Sequence, residues 1–326
     1  MNKIRIAYIG LGWIADWHFK AMKRVSSIEV VGACDVPKNY EACRARCNGW
    51  GIKAWMSYEE VLGDPGVDAV AILTPTWLHT EQTFAAIRAK KHVLVEKPVA
   101  LSAEEIGRME QAGKAAGVVV LPGHNFVYRP VVRKAKEVLA SGMLGNVSYA
   151  SFRAVHFIPK AASAGWRKTL SASGGGAMID SGTHLVYQSL YLMGRPSYLA
   201  SFDAKKHYLE LESEDISLIG LQYPDGAIGN ILQSWASGDP SAGEIRIDGD
   251  KANLLIADGL YVDGKKMETD FEYGDSFYHL AQAFSDAVLK GTKPISTLED
   301  ARAALILIQN AYASAKEKRV IHNPAG

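Results

Sequence analysis

The segment Gly10-Leu11-Gly12-Trp13-Ile14-Ala15 constrains this chain more than any other, because it stands between an apolar run, Ile4–Ile9, and a helical pattern. In a strand–turn–helix setting the first glycine allows a tight turn. The second lets backbone approach a pyrophosphate, and a small third residue lets helix and strand pack closely. The start of the helix then offers unpaired N–H groups and the positive end of a dipole to an anion. Roughly 20 residues on, a second apolar run ends in Ala33-Cys34-Asp35, where a carboxylate can accept hydrogen bonds from the adenosine ribose hydroxyls. Gly10, Gly12, Trp13, Ile14 and Asp35 are therefore expected to hold a dinucleotide. The charge of Asp35 repels a 2′-phosphate, so NAD is expected over NADP; Lys38, close by in sequence, leaves NADP open.

The rest of the first part fits that setting. Ile4–Ile9, Val30–Ala33, Ala69–Leu73, Val93–Val95 and Val118–Leu121 are apolar, and amphipathic stretches at Tyr40–Cys47, Glu81–Lys90 and Glu104–Ala116 lie between them. Alternating strands and helices predict parallel βαβ units, and unbroken apolar strands predict a sheet covered on both faces. Ser57 with Glu60, and Ser102 with Glu105, read as capping boxes at helix starts.

Beyond about residue 123 the pattern changes. After a helix over Val131–Ser141, β-type runs at Ser148–Val155, Tyr198–Asp203, Ile216–Tyr223, Ile228–Trp235, Glu244–Ile247 and Asn253–Ile256 come close together, with turn signals such as Pro224-Asp225-Gly226 and Asp263-Gly264. They predict a largely antiparallel sheet, and helices over Phe277–Leu289 and Leu298–Glu317 close the chain. The expectation is α/β overall: a doubly wound parallel-sheet domain over 1–123, and an α+β domain with an open, mostly antiparallel sheet over 124–326.

Composition narrows the function classes. Thirty-six basic against 35 acidic residues give a net charge of +1, which leaves no electrostatic footprint for nucleic acid. No run reaches the roughly 18 apolar residues of a membrane span, and no signal peptide pattern is present, so no membrane partner and a cytoplasmic protein are expected. The three cysteines, Cys34, Cys43 and Cys47, do not form a disulfide framework. Cys43 and Cys47 lack nearby histidines to complete a zinc site, so no metal is expected.

Two more loops fall at carboxyl ends of strands, where such sheets bind ligands: Thr74-Pro75-Thr76, and Glu96-Lys97-Pro98. Thr74, Pro75, Glu96 and Lys97 join the expected cofactor contacts. So does His79, which alternatively caps the helix after the first loop.

With these motifs the chain resembles the Gfo/Idh/MocA family of sugar and polyol oxidoreductases. The likeness rests on the glycine turn, Thr-Pro-Thr-Trp-Leu-His at 74–79, Lys-Lys-His-Val-Leu-Val at 90–95 and Glu96-Lys97-Pro98. It continues in Trp166-Arg167 and in Gly174-Gly175-Gly176 with Asp180 and His184. The resemblance implies a Rossmann domain, an open sheet domain, and homodimers or homotetramers packed through that sheet's outer face. It also implies that Lys97, Asp180 and His184 are catalytic, that the Lys97–Pro98 bond is often cis, and that the substrate is a sugar, glycoside or polyol such as an inositol. Two departures put the substrate in doubt. Tyr187 stands where many members carry an aspartate, and Arg129 is the arginine nearest to a segment, Asn125–Tyr128, that often contains one.

The chemistry is consistent with those roles. Oxidising an alcohol needs a hydride acceptor, which nicotinamide supplies, and a group that takes the hydroxyl proton. Asp180 and His184, four apart on a predicted helix ending at Gly194, share a face, and imidazole is the natural acid/base at neutral pH. Lys97 can take the proton or, as ammonium, stabilise alkoxide character. The glycine run would let backbone approach substrate or a neighbouring loop. Asn125, His156, Trp166 and Arg167 can contact substrate hydroxyls, and His124 can face the same cleft. A glycosidase that retains NAD and oxidises its sugar transiently, and a non-enzymatic dinucleotide or sugar sensor, are the alternatives to a dehydrogenase.

Overall fold

A computed structural model of the chain describes residues 3–158, 165–238, 243–269 and 273–323. By compactness the chain divides into two units, residues 1–128 with 272–302, and residues 129–271 with 303–326.

The first unit is built on a parallel six-stranded sheet of β1 (Ile4–Ile9), β2 (Ile28–Cys34), β3 (Lys53–Trp55), β4 (Ala69–Ile72), β5 (His92–Val95) and β6 (Val120–Pro122), in the order β3-β2-β1-β4-β5-β6. The connecting helices are α1 (Ile14–Met22), α2 (Tyr40–Trp50), α3 (Tyr58–Gly63), α4 (Thr76–Arg88) and α5 (Ala103–Ala116). Ala69–Ile72 and Val93–Val95 are wholly buried, as strands covered on both faces must be. The strand order reverses between β1 and β4, and the carboxyl ends of strands beside such a reversal form a ligand crevice. Gly10 and Thr74 lie just past these two strands.

Two helix starts differ from expectation. The Ser102–Glu105 box is reciprocal. At α3 only half of it forms: Ser57 Oγ accepts from Glu60 N, while the Glu60 carboxylate reaches back to Met56 N at 3.0 Å. Helix α4 begins at Thr76 rather than Glu81: Pro75 at its N-cap holds φ at −61°, and the face its first two turns bury is polar, Thr76, His79, Gln82 and Thr83, so no apolar periodicity marks the start.

The second unit holds α6 (Pro130–Ala140), β7 (Val147–Val155), α7 (Leu170–Ser173), α8 (Thr183–Met193), β8 (Tyr198–Ala204), β9 (Ile216–Gln222), β10 (Ile228–Ser234), β11 (Gly243–Gly249), β12 (Asn253–Ile256), β13 (Leu260–Val262), β14 (Lys265–Met267) and β15 (Ile321–His322). The strands form a nine-stranded sheet in the order β14-β13-β12-β11-β7-β10-β9-β8-β15. Every pairing is antiparallel except that of β7 with β10. Side chains alternate across it. Leu199, Ile219, Leu221 and Ile231 are buried on the inner face, whereas Tyr198, Phe202, Leu218 and Ile228 stay exposed on the other.

Two late helices complete the chain. Helix α9 (Tyr273–Lys290) belongs to the first unit and packs on α1, and α10 (Leu298–Glu317) starts in the first unit and continues in the second from residue 303. All three cysteines are buried, and burial pushes the Cys43 thiol up to about 12. No helix among the described residues is long and apolar enough to cross a membrane.

Candidate active site

In the first unit the glycine turn takes the form its spacing predicts. Gly10 has φ +93°, and a Cβ there would stand 3.0 Å from the Thr74 amide nitrogen. A Cβ at Gly12 would meet nothing within 4 Å, so the turn leaves open room where a pyrophosphate is expected. Helix α1 has no side-chain cap at Trp13, so no side chain competes there with an anion for its first N–H groups. Trp13 is exposed (66%), and Ile14 opens the helix. Asp35 Oδ2 accepts from Leu11 N at 2.9 Å, and Oδ1 accepts from Val36 N and Asn39 Nδ2. These residues fit a dinucleotide.

Arg46, on α2, is part of this turn and has no signature in the sequence. Its Nη1 donates to the Leu11 carbonyl at 2.6 Å and to the Gly12 carbonyl at 3.3 Å. The guanidinium also pairs with Asp16 and stacks on Trp50.

The loop after β5 is a buried construction, not a solvated ion pair. Glu96 is 8% exposed. Its Oε1 lies 2.8 Å from His18 Nε2, and its Oε2 accepts from Lys97 N at 3.0 Å. Burial alone would push this carboxyl up, but the His18 hydrogen bond and the Lys97 charge outweigh it and hold it below the usual range. His18 has no sequence signature of a role, because nothing local marks its partner 78 residues away. The Lys97–Pro98 bond is cis. A Cβ at Gly123, on the neighbouring strand end, would stand 3.1 Å from Glu96 Cα.

His79 does more than cap α4. Its ring nitrogens lie 2.8 Å from the Pro98 carbonyl and 2.7 Å from the Thr74 carbonyl, so it braces the two loops together. Burial lowers its pKa. The Thr74 hydroxyl donates to Gln82 Oε1. Asn125 is buried and donates to Ser276 Oγ, and His124 is buried against Ser296 Oγ. Burial pulls the His124 imidazole down to about 3, which keeps it neutral.

In the second unit Asp180 and His184 stand on one continuous element, but it is not a regular α-helix. Met178–Gly182 forms a π-helical turn, and α8 proper begins at Thr183. A Cβ at Gly182 would stand 2.6 Å from Met178 Sδ and 3.1 Å from Gln233 Cβ, so a larger residue there would make Met178 and Gln233 shift. Such turns are rare and occur often at functional sites. Arg167 Nε donates to Asp180 Oδ2 at 2.7 Å, and the Arg167 guanidinium stacks on Trp166 with 4.4 Å to the ring centre. His156 lies just past β7 and feels the Asp180 charge; burial lowers its pKa, and Asp180 opposes the shift. His184 Nδ1 lies 2.6 Å from Tyr187 Oη. Tyr187 is thus a direct partner of the histidine, and it is 3% exposed.

Residues 4–124 match the Gfo/Idh/MocA oxidoreductase family with its NAD-binding Rossmann fold, and residues 132–255 match that family's C-terminal domain. The chain is 38% identical over 182 residues to the 1,5-anhydro-D-fructose reductase of Ensifer adhaerens, a match that spans 55% of this chain and 54% of that protein, about half of each. It is 26% identical to the myo-inositol 2-dehydrogenase of Thermotoga maritima, with 98% of both chains covered. A solved levoglucosan dehydrogenase in complex with NADH and levoglucosan has the same fold, with a TM-score of 0.89 over 99% of this chain and 100% of that one at 20% identity. With a parallel six-stranded sheet carrying the glycine turn and a mixed, mostly antiparallel second sheet, the chain belongs to the Gfo/Idh/MocA family of NAD-binding oxidoreductases.

Proposed function

We propose that this protein is an NAD-dependent dehydrogenase that oxidises a hydroxyl of a sugar, glycoside or polyol, such as an inositol, to the carbonyl. The observation that carries the reading is the cluster on the π-turn: Asp180 held by Arg167, Arg167 stacked on Trp166, and His184 one turn on. A fixed carboxylate and an aromatic face suit a ring bearing several hydroxyls.

In this reading Gly10, Gly12, Trp13, Ile14 and Asp35 hold the dinucleotide, with Thr74, Pro75, His79, Glu96 and Lys97 completing its surroundings. Bound nicotinamide supplies hydride-transfer chemistry. His184 takes the hydroxyl proton. Its Nδ1 lies against Tyr187 Oη, which supports Nε2 as the proton-transfer atom. Lys97, as ammonium, stabilises negative charge on the substrate oxygen. Asp180 accepts from a second hydroxyl, and Asn125, His156, Trp166 and Arg167 bind the substrate. Asp35 repels a 2′-phosphate, which supports NAD over NADP. The name of the Ensifer relative, a reductase, supports a second reading in which the same residues run the reaction toward the alcohol.

The test is formation of reduced nicotinamide, followed by its absorbance, against myo-inositol, scyllo-inositol, levoglucosan, aldoses and alkyl glucosides, with NAD and with NADP. Consumption with 1,5-anhydrofructose is followed in parallel. Turnover of a polyol or sugar with NAD supports the reading. Cofactor binding without turnover in either direction overturns it in favour of an NAD-retaining glycosidase or a sensor.

The exposed outer face of the nine-stranded sheet, with Phe202 at 74% and Ile228 at 54% exposure, supports a homodimer or homotetramer packed through it. Sedimentation velocity tests this: Phe202→Glu should shift the protein to monomer, and a monomeric wild type would end the idea.

A further inference from the structure

The entry to the Asp180 turn is held from behind by two side chains with no place in the proposed chemistry. Glu214, two residues before β9, is 7% exposed. Its Oε2 accepts from Gly176 N at 3.0 Å, and its Oε1 accepts from Met178 N at 2.8 Å and from the Tyr312 hydroxyl at 3.0 Å. Its backbone carbonyl takes Ala177 N at 3.1 Å. Tyr312, in the part of α10 that belongs to the second unit, accepts in turn from Gly176 N and Ile179 N, each at 3.3 Å. The N–H groups of residues 176 to 179 therefore all end on Glu214 or Tyr312. The first N–H groups of a helix have no partner inside it; here they are satisfied by two distant segments rather than by a local cap.

The glycine run is shaped to this pair. A Cβ at Gly175 would overlap the Tyr312 hydroxyl, and one at Gly176 would overlap the Glu214 carbonyl and stand 2.6 Å from its Oε2. Close approach of a neighbouring segment thus accounts for both glycines. The register of this entry sets the direction in which Asp180 and His184 point. A π-turn carries a residue more than an α-helix, and slipping by one residue in an α-helix rotates a side chain by about 100°. An entry free to slip would carry Asp180 away from Arg167, and errors of about 1 Å can cost a hundredfold in rate.

We propose that Glu214 and Tyr312 are positioning residues that clamp the entry of the π-turn and so fix where Asp180 and His184 stand. The proposal rests on the reading that Asp180 and His184 serve the reaction, and the experiment separates the two. Glu214→Gln and Tyr312→Phe keep side-chain volume while removing, respectively, an acceptor and the shared hydroxyl. Hydrogen–deuterium exchange is read on peptides covering 174–184, and kinetics are read with NAD and myo-inositol. The expected result is exchange about tenfold faster on those peptides alone, the scale of one charge-assisted hydrogen bond. Turnover should fall about tenfold or more, with KM for NAD within about twofold. Glu214→Asp, which keeps the charge, should recover part of the turnover. Unchanged local exchange in both variants overturns the clamp, whichever substrate the enzyme proves to use. A uniform rise in exchange over the whole chain also overturns it, since the pair would then serve general stability. Faster local exchange with wild-type kcat overturns the positioning role, since a loosened entry would then leave Asp180 and His184 in place; His184→Ala tests the catalytic reading apart from it.

Discussion

His18 Nε2 and Glu96 Oε1 lie 2.8 Å apart, with the two residues 1% and 8% exposed. The contact joins the first helix of the dinucleotide turn to the loop that presents Lys97. A carboxylate this buried needs partners, because removing one member of a buried pair leaves a charge without compensation. His18→Ala is therefore expected to lower unfolding stability by roughly 3 kcal/mol, at the low end for such pairs. Urea denaturation followed by fluorescence checks it. A loss below about 0.5 kcal/mol, the scale of a surface change, would show that the Lys97 amide alone suffices for Glu96.

The same carboxylate gives a pH prediction. Glu96 is held below its usual range in the folded protein, so folding favours its ionised form. That contribution is present above the unfolded value, about 4.3, and is lost as pH falls through the lower folded value. On acidification below about pH 4 the thermal midpoint of wild type should fall more steeply than that of Glu96→Gln. Parallel midpoint curves for the two proteins would contradict it.

Much of this fold is legible in the sequence because some elements answer to local rules. Val93–Val95 is buried on both faces and so reads as an unbroken apolar run. Asp263 and Gly264 take φ of 47° and 72°, the left-handed pair that a tight hairpin requires. Other features are settled by partners far away in the chain. The apolar face of α9, with Phe277, Leu280 and Phe284 buried, says that the helix packs but not that it returns to α1. Strands of two or three residues, such as β15 and β13, carry too few positions for a period. In the site, the glycine turn stands out by spacing, and Lys97, Asp180 and His184 by the resemblance to a known family. His18, Arg46, Glu214 and Tyr312 do not, since each acts through contacts with residues 34 or more positions away. The π-turn escapes as well, because four-residue spacing is compatible with either helix type.

Arg46 binds the outward carbonyls of Leu11 and Gly12 and so fixes the orientation of the peptide units in the glycine turn. The turn can bind a pyrophosphate only while its N–H groups are aimed at it. Arg46→Ala should raise the dissociation constant for NAD about tenfold, the scale of one hydrogen bond from a charged donor. Fluorescence titration with NAD measures this, and an unchanged constant would reduce Arg46 to a surface ion-pair partner of Asp16.

Lys97 and His184 carry separable parts of the proposed reaction. Lys97→Ala and His184→Ala should each lower kcat by about a hundredfold or more, the usual weight of a proton-transfer group or a charge stabiliser. NAD binding should persist in both, because the glycine turn and Asp35 are untouched. Steady-state kinetics on the substrate found in the panel, together with NAD titration, check this. Wild-type turnover in either variant would remove that residue from the chemistry.

Tyr187 decides how His184 is held. The two rings meet edge to face, and Nδ1 lies 2.6 Å from Oη. The bond made by one ring nitrogen sets which tautomer the other presents. For His184 to accept a proton at Nε2, its Nδ1–H must donate to the phenol oxygen. A carboxylate at this position would favour that arrangement strongly; a phenol, which can also donate, favours it less and suits either direction of hydride transfer. Tyr187→Phe keeps the packing and deletes the oxygen. It should lower kcat for alcohol oxidation roughly tenfold, the scale of one lost hydrogen bond. The reverse reaction should fall by a different factor, since it starts from the protonated ring rather than the neutral one. Equal losses in both directions would mean that the phenol only orients the ring, and no loss in either would mean that His184 is held by other contacts.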